Sequence, residues 1–193
     1  ACSPVAILSE VRSLLQPGAI EKDLTFDVEF DGPIPEQIQS DPTRVRQILI
    51  NLVANAIKFT ETGRVVVRVG VRFDQSPEHQ QLYLAVEDTG IGIEEERIEL
   101  LFSPFAQLHQ SSTSQFTGVG LGLDISRRLA RLLGGDVDVM SVPGEGSTFT
   151  LHLPAEPESD WMDLATIELD TPVRQQVSDV RESLDLDGIR VLS

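Results

Sequence analysis

One segment constrains the fold of this chain more than any other: a largely apolar stretch over residues 41–60 in which three polar residues recur at helical spacing. Asn51, Asn55 and Lys58 follow one another at intervals of four and three, which places them on one stripe of a helix. The neighbouring stripe is apolar and must face a core. Its members are Val45, Ile48, Leu49 and Leu52.

The polar stripe indicates a ligand site, because two amides and an ammonium inside an apolar helix need partners if burial is not to be costly. The neutral oxygen of an asparagine suits a hard cation, and the point charge of a lysine suits a phosphate. We therefore interpret Asn51, Asn55 and Lys58 as one wall of a site for magnesium and a nucleotide.

Hydrophobic periodicity and turn residues predict a mixture of helices and strands. The predicted helices cover residues 4–16, a segment beginning at Pro42 behind an Asp41 N-cap, 94–102 and 121–133. The predicted strands cover 24–30, 64–73, 82–87, 136–142 and 148–153, with loops at 74–80 and 103–117. This order predicts the α+β class, with helices on one face of a mostly antiparallel sheet.

Composition narrows the classes of function. The hydrophobic fraction of 40% suffices for a core, and the scarcity of aromatics, 5%, predicts one built from Leu, Val and Ile. The net charge of −16 argues against a nucleic-acid surface, so an anionic ligand must be held by local charge and backbone donors. A single cysteine, Cys2, excludes an internal disulfide and fits a reducing compartment. With no signal peptide and no apolar run long enough to span a bilayer, we expect a cytoplasmic location without direct membrane contact, compatible with a parent that is an inner-membrane sensor.

Two glycine-containing motifs follow the helix. Asp88 ends a strand, where its carboxylate can accept from an exocyclic amine such as that of adenine, and Gly90 and Gly92 permit close approach of the backbone. An Asp-containing turn is the alternative interpretation. The run 118–122 opens a helix, where glycines let backbone N–H groups meet a phosphate, although a flexible helix start is again the alternative. No strand directly precedes this run, which excludes a dinucleotide-binding fingerprint.

The remaining candidate residues indicate structure more than chemistry. Phe102 and Phe105 flank Ser103-Pro104 and are predicted to form a local packing cluster. None of the three histidines belongs to a catalytic or metal-ligand pattern. His79 falls in a predicted hairpin loop, His109 in the 103–117 loop, and His152 in a predicted edge strand.

Taken in order, these motifs resemble the four sequence boxes of the ATP-binding catalytic domain of sensor histidine kinases, in the GHKL superfamily. The matching segments are 51–60 (N box), 88–92 (G1 box), 101–105 (F box) and 118–123 (G2 box). The resemblance covers residues 4–153 and is closest to hybrid kinases. Residues 154–187 are then an acidic linker with one candidate short helix, and 188–193 resemble the truncated start of a receiver domain.

The resemblance implies the Bergerat fold, a two-layer α/β sandwich that binds ATP and Mg²⁺. It implies that Asn55 coordinates magnesium, that Lys58 contacts phosphate and that Asp88 binds the adenine amine. The implied catalytic residues are Asn51, Asn55 and Lys58. The implied cofactor-binding residues are Asn55, Lys58, Phe59, Asp88, Gly90, Gly92, Ile93, Gly118, Gly120, Leu121 and Gly122, with 103–117 as the ATP lid.

Position 51 separates activities within the superfamily. Hydrolysing members carry Glu there, which can polarise a water, whereas Asn51 is a poor base and favours phosphoryl transfer. The chain lacks a phosphoacceptor histidine box, so the implied partners are a dimerisation and histidine phosphotransfer domain of the same protein and a receiver domain. Ser114 replaces the usual lid cation and Val119 the usual threonine. These departures keep open a degenerate nucleotide-binding or protein-interaction module with weak or no kinase activity.

Overall fold

The computed structural model describes residues 1–73, 80–98, 100–102, 122–155 and 160–163. Within these ranges the helices are α1 (Pro4–Glu21), α2 (Pro42–Phe59), α3 (Glu95–Ile98) and α4 (Gly122–Leu132). The strands are β1 (Thr25–Phe30), β2 (Ile34–Pro35), β3 (Arg64–Phe73), β4 (Gln80–Asp88), β5 (Asp136–Val142), β6 (Gly146–Ala155) and β7 (Trp161–Met162).

Five strands form one sheet in the order β1-β3-β4-β6-β5, and β2 pairs with β7 separately. β1 runs parallel to β3, and the other neighbours in the large sheet are antiparallel. Helices α1, α2 and α4 pack on one face. On the other face, Arg68 forms ion pairs with Glu29 over 2.7 Å and with Glu87 over 2.9 Å. The predicted α+β sandwich, with helices over one face of a mostly antiparallel sheet, is confirmed.

The core lies between α2 and the central strands, and the residues that form it follow the hydrophobic pattern of the sequence. Alternate valines of β3 point inward, with Val65, Val67 and Val69 almost fully buried. They join one hydrophobic cluster with the predicted apolar stripe of α2. Packing of the apolar stripe against the core fixes the rotation of α2 about its own axis. The same packing therefore determines which way the neighbouring polar stripe faces.

Helix α1 is longer than predicted, because it runs through Pro17 instead of ending at Gln16. A proline inside a helix removes one backbone hydrogen bond, so Pro17 disfavours this continuation. Packing outweighs that loss here. Ala19, in the extra turn, is fully buried, and its carbonyl accepts from Leu24 N over 2.9 Å. The extension brings Lys22 to the end of α1, beside the end of α2.

Two further predictions need correction, and one pair of short strands was missed. Helix α3 covers 95–98 instead of 94–102, and the chain continues as i→i+3 turns, with Leu101 N bonded to Ile98 O over 3.2 Å. His152 is not on an edge strand: β6 inserts between β4 and β5, a long-range pairing that local pattern does not encode. β2 and β7 were not predicted, since two residues carry no periodicity.

The remaining predictions concern strand ends, loops and membrane-spanning segments. β6 continues to Ala155 and β7 pairs with β2, so strands extend beyond residue 153 into the segment predicted as a linker. Of the loop predicted at 74–80, Gln80 instead begins β4, and residues 74–79 lie outside the described residues. The loop predicted at 103–117 also lies outside them, and so do His79, Phe105 and His109. None of the helices in the described part of the chain combines the length and apolar character needed to cross a bilayer.

Candidate functional site

A cavity of about 240 Å³ opens between the C-terminal half of α2, the end of β4 and the turn that joins β5 to β6. Five of the predicted site residues line it: Asn55, Phe59, Asp88, Gly92 and Ile93. Residues of α2 and residues at and just after the end of β4 therefore line the same cavity.

Helix α2 presents Asn55 and Phe59 one turn apart on the cavity side. The helix begins where predicted, because the Asp41 carboxylate accepts from Thr43 N over 2.9 Å and from Arg44 N over 3.2 Å. Ala56 and Ile57, between them, are buried against the core. This packing leaves the half-buried Asn55 amide in the cavity wall, where its oxygen can meet a cation.

Asp88 stands at the other wall, at the end of β4. Burial raises the pKa of its carboxyl, and hydrogen bonds from the backbone N–H groups of Gly90 and Ser147 oppose that rise. Gly90 N donates to Asp88 Oδ1 over 2.8 Å, which is the Asp-containing turn considered as the alternative. The two interpretations are compatible, since a carboxylate has about four acceptor sites and Asp88 also lines the cavity.

Two glycines close the loop after β4 against its neighbours. Gly92 has φ +66°, and a Cβ there would overlap the carbonyl oxygen of Val142. A Cβ at Gly90 would lie 2.6 Å from the carbonyl oxygen of Phe59. The loop that carries Asp88 is thereby held against the end of α2 on one side and the β5–β6 turn on the other.

Asn51 and Lys58, from the same polar stripe, lie outside the cavity lining. Asn51 Nδ2 donates to Ser126 Oγ over 2.9 Å, and Gly122 approaches so closely that a Cβ would overlap the Asn51 amide oxygen. Asn51 therefore joins α2 to the start of α4. The ammonium of Lys58 lies 5.1 Å from the ring centroid of Phe59, a cation–π contact at the edge of the site.

The remaining predicted site residues divide by position. Gly90 lies against the Phe59 carbonyl and the Asp88 carboxylate, and Gly122 packs against Asn51. Gly118, Gly120 and Leu121 lie outside the described residues. Within the F box, Phe102 packs on the core and its ring lies 4.5 Å from the guanidinium carbon of Arg127, a packing role as predicted.

Sequence reasoning missed several lining residues, among them Glu94, Arg97, Leu101, Leu123, Ser147 and Phe149. Leu101 lies in the F box and Leu123 in the G2 box, so membership of these boxes could have indicated that both residues line the site. Ser147 and Phe149 lie on β6 and reach the site only through its pairing with β4, which the sequence does not display. Arg97 adds a cationic side chain to the wall.

Comparison with known proteins identifies the family. Residues 40–157 match the family described as histidine kinase-, DNA gyrase B-, and HSP90-like ATPase. This chain belongs to that family. The aerobic respiration control sensor protein ArcB of Escherichia coli (strain K12) is 42% identical over 169 residues, which are 87% of this chain and 21% of ArcB. The chain thus spans about a fifth of the length of that relative.

Solved structures resemble the fold over most of the chain. Full-length ShkA in complex with AMPPNP matches with a TM-score of 0.69 and 31% identity, over 82% of this chain and 31% of that one. The catalytic domain of the histidine kinase ThkA, in a nucleotide-free form, matches with a TM-score of 0.63 and 29% identity, over 81% of this chain and 95% of that one. The matched part of this chain therefore covers nearly all of that histidine kinase catalytic domain.

Proposed function

We propose that this domain binds ATP together with Mg²⁺ and donates the γ-phosphate to a histidine on a separate dimerisation domain. One observation carries the proposal: Asn55 and Asp88, from opposite walls, line the same cavity. The first suits the metal and phosphate end of a nucleotide, and the second suits its base. Family membership and the AMPPNP bound to ShkA support the nucleotide.

The base end of the site suits adenine. The Asp88 carboxylate, fixed by Gly90, would accept the hydrogen bond of the adenine amine. Phe59 and Ile93 supply apolar wall on which a flat ring can lie. These residues would orient the base and leave the phosphates to run toward Asn55 along α2.

The phosphate end fits magnesium by its donor chemistry. Among the residues that the structure describes, no three His, Cys, Asp or Glu side chains converge as a ready-made cage. Magnesium commonly takes one or two protein oxygens and completes its shell with water and substrate phosphates, and the Asn55 amide oxygen fits that pattern. When bound with ATP, the ion would neutralise phosphate charge. Lys58 and Arg97 provide further positive charge near the site.

The hydrogen bonding and the neutral charge of Asn51 favour phosphoryl transfer over hydrolysis. Its Nδ2 is engaged by Ser126, and a neutral amide cannot take a proton from water. The side chain at this position therefore supports α4 instead of activating a nucleophile. A histidine on another domain would serve as the acceptor, and positioning would supply most of the catalysis.

We also propose binding partners and a cellular location for this domain. We expect the dimerisation and histidine phosphotransfer domain of the same protein to bind near the phosphate end of the cavity. A receiver domain, as suggested by residues 188–193, would take the phosphate onward. A cytoplasmic site would give such a domain access to ATP.

Phosphotransfer to a supplied dimerisation domain tests the proposal. The domain is mixed with radiolabelled ATP, Mg²⁺ and the dimerisation domain of its own parent protein, and acid-labile label on the partner is measured. We expect labelling by the wild type, none by Asn55→Ala, and wild-type labelling by Gln47→Ala, an exposed amide on the same helix. Nucleotide binding without any labelling would favour the degenerate module suggested by Ser114 and Val119.

A further inference from the structure

Lys22 makes an unusual set of contacts for a lysine at the end of a helix. Its ammonium donates to the carbonyl oxygens of Ile57 over 2.8 Å, Lys58 over 2.8 Å and Thr60 over 3.1 Å. A lysine has three N–H donors, so these bonds use all of them. The side chain crosses from α1 to the C-terminal end of α2, the helix that carries the polar stripe.

These bonds complete the hydrogen bonding at the end of α2. The last four carbonyls of any helix lack partners within that helix. Here the Ala56 carbonyl accepts from Thr60 N over 3.1 Å and from its hydroxyl over 2.7 Å, and Phe59 O accepts from Ile91 N over 3.4 Å. The carbonyls of Ile57 and Lys58 are the ones that Lys22 takes. Its positive charge also suits the negative end of the helix dipole.

The turn that Lys22 holds forms part of the candidate site. Phe59 lines the cavity, and its carbonyl meets Gly90 and Ile91 of the loop that begins at Asp88. A shift of this turn would move the apolar wall and the adenine-binding carboxylate relative to each other. Lys22 itself does not line the cavity, so any effect on a ligand must pass through the α2 turn.

We propose that Lys22 is a positioning residue for nucleotide binding: it fixes the last turn of α2 so that Phe59 and the Asp88 loop are preformed for the base. The proposal rests on the proposed function, since the ligand is the same nucleotide. It predicts that the loss of Lys22 is felt in affinity, in addition to any loss of stability.

A matched control separates this role from simple anchoring of α1. Val11 is buried in the core, and its neighbour Glu10 forms an ion pair with Arg46 near the start of α2, so Val11→Ala loosens α1 far from the end of α2. Lys22→Met keeps the length of the side chain and removes its donors. Lys22→Arg keeps the charge but replaces three converging donors by a planar fork, which fits the arc of carbonyls less well.

The affinity test is a titration of the intact domain with a fluorescent ATP analogue and Mg²⁺, at a temperature where every variant is folded. We expect Lys22→Met to raise Kd about tenfold, a size typical of supporting residues. Lys22→Arg should fall between it and the wild type, and Val11→Ala should bind as the wild type does. Equal Kd values for Lys22→Met and the wild type would overturn the proposal.

A second readout needs no nucleotide. Hydrogen exchange of the ligand-free protein is followed in peptides covering residues 54–62 and 88–93. Lys22→Met should accelerate exchange in both, and Val11→Ala should do so in neither. Unchanged exchange in Lys22→Met would overturn the positioning role even if the wild type bound no nucleotide, whereas absence of wild-type binding alone would overturn the proposed function.

Discussion

The side-chain amide of Asn51 donates a hydrogen bond to the hydroxyl of Ser126 over 2.9 Å and so joins α2 to α4. Ser126 is buried, and the close approach of Gly122 brings the start of α4 against the same amide. Asn51, which we propose favours transfer over hydrolysis, is therefore also a structural contact. Its contribution to stability can be measured separately from its contribution to chemistry.

A double-mutant cycle should detect this contact. Asn51→Ala and Ser126→Ala each remove one partner, and we expect a coupling energy of about 1 kcal/mol, the usual net value of such a hydrogen bond. Urea denaturation of the two single variants and the double variant supplies the free energies of unfolding. Ser126→Ala combined with Gln47→Ala serves as the control and should be additive. Additivity in the Asn51 cycle would show that the bond contributes nothing.

Asp88→Asn should weaken ATP binding and reduce the preference for ATP over GTP. A hydrogen bond to a charged group is worth about 1.5–3 kcal/mol, so the loss in affinity for ATP should be about 10- to 100-fold. An asparagine amide can instead donate to the 6-oxo group of guanine, which narrows the difference between the two nucleotides. Competition of each nucleotide with a fluorescent analogue measures both constants. An unchanged ATP to GTP ratio would remove Asp88 from base recognition.

The same substitution should not reduce stability at neutral pH. Burial raises the pKa of Asp88, so the folded chain holds a proton that the unfolded chain has released, and stability falls as the pH rises between the ordinary value of 3.8 and the folded value. A neutral asparagine removes this loss, and its amide oxygen has two lone pairs with which to accept from the backbone N–H groups of Gly90 and Ser147. Thermal unfolding at pH 7 should therefore give Asp88→Asn a Tm equal to or above that of the wild type. A clearly lower Tm would contradict the account of the pKa.

Asp136 should show the opposite dependence on pH. Partial burial favours a raised pKa, but hydrogen bonds from Arg127, Arg131 and the Val137 backbone prevail and lower the pKa of Asp136 to about 2. Its stabilisation is therefore present above 3.8 and lost as the pH falls toward 2. Asp136→Asn should cost about 1 kcal/mol or less at pH 7, because the side chain is 42% exposed and screened by solvent. Unfolding from pH 7 to 2 should show the two proteins converging, and a constant difference would contradict the ion pairs as its cause.

Gly92, in the loop after β4, can be compared with Gly144, in the turn between β5 and β6. Both have a positive φ, of +66° and +81°, but only at Gly92 would a Cβ meet another atom, the carbonyl oxygen of Val142. Gly144→Ala should cost about 1–2 kcal/mol, the price of left-handed backbone. Gly92→Ala should cost more and should also weaken nucleotide binding. Equal losses in both variants, measured by urea denaturation, would show that the loop adjusts freely.

Local sequence signals predicted part of the fold closely. The rest depends on pairing between residues far apart in the sequence, which local signals do not encode. The cap at Asp41 and the valine alternation of β3 predicted where α2 begins and where β3 begins and ends, because capping and a period of two are properties of neighbouring residues. The insertion of β6 between β4 and β5 depends on residues about sixty positions apart, so Ser147 was not predicted in the site. Lys22 was hidden for the same reason, since its partners lie at least 35 positions away.

We propose that Asn55 makes nucleotide binding depend on magnesium. This role is tested most directly by titration of the domain with a fluorescent ATP analogue, with Mg²⁺ and with a chelator, for the wild type, Asn55→Ala and Gln47→Ala. We predict that Mg²⁺ tightens binding in the wild type and in Gln47→Ala and has no effect in Asn55→Ala. An equal response to Mg²⁺ in Asn55→Ala and the wild type would contradict the claim.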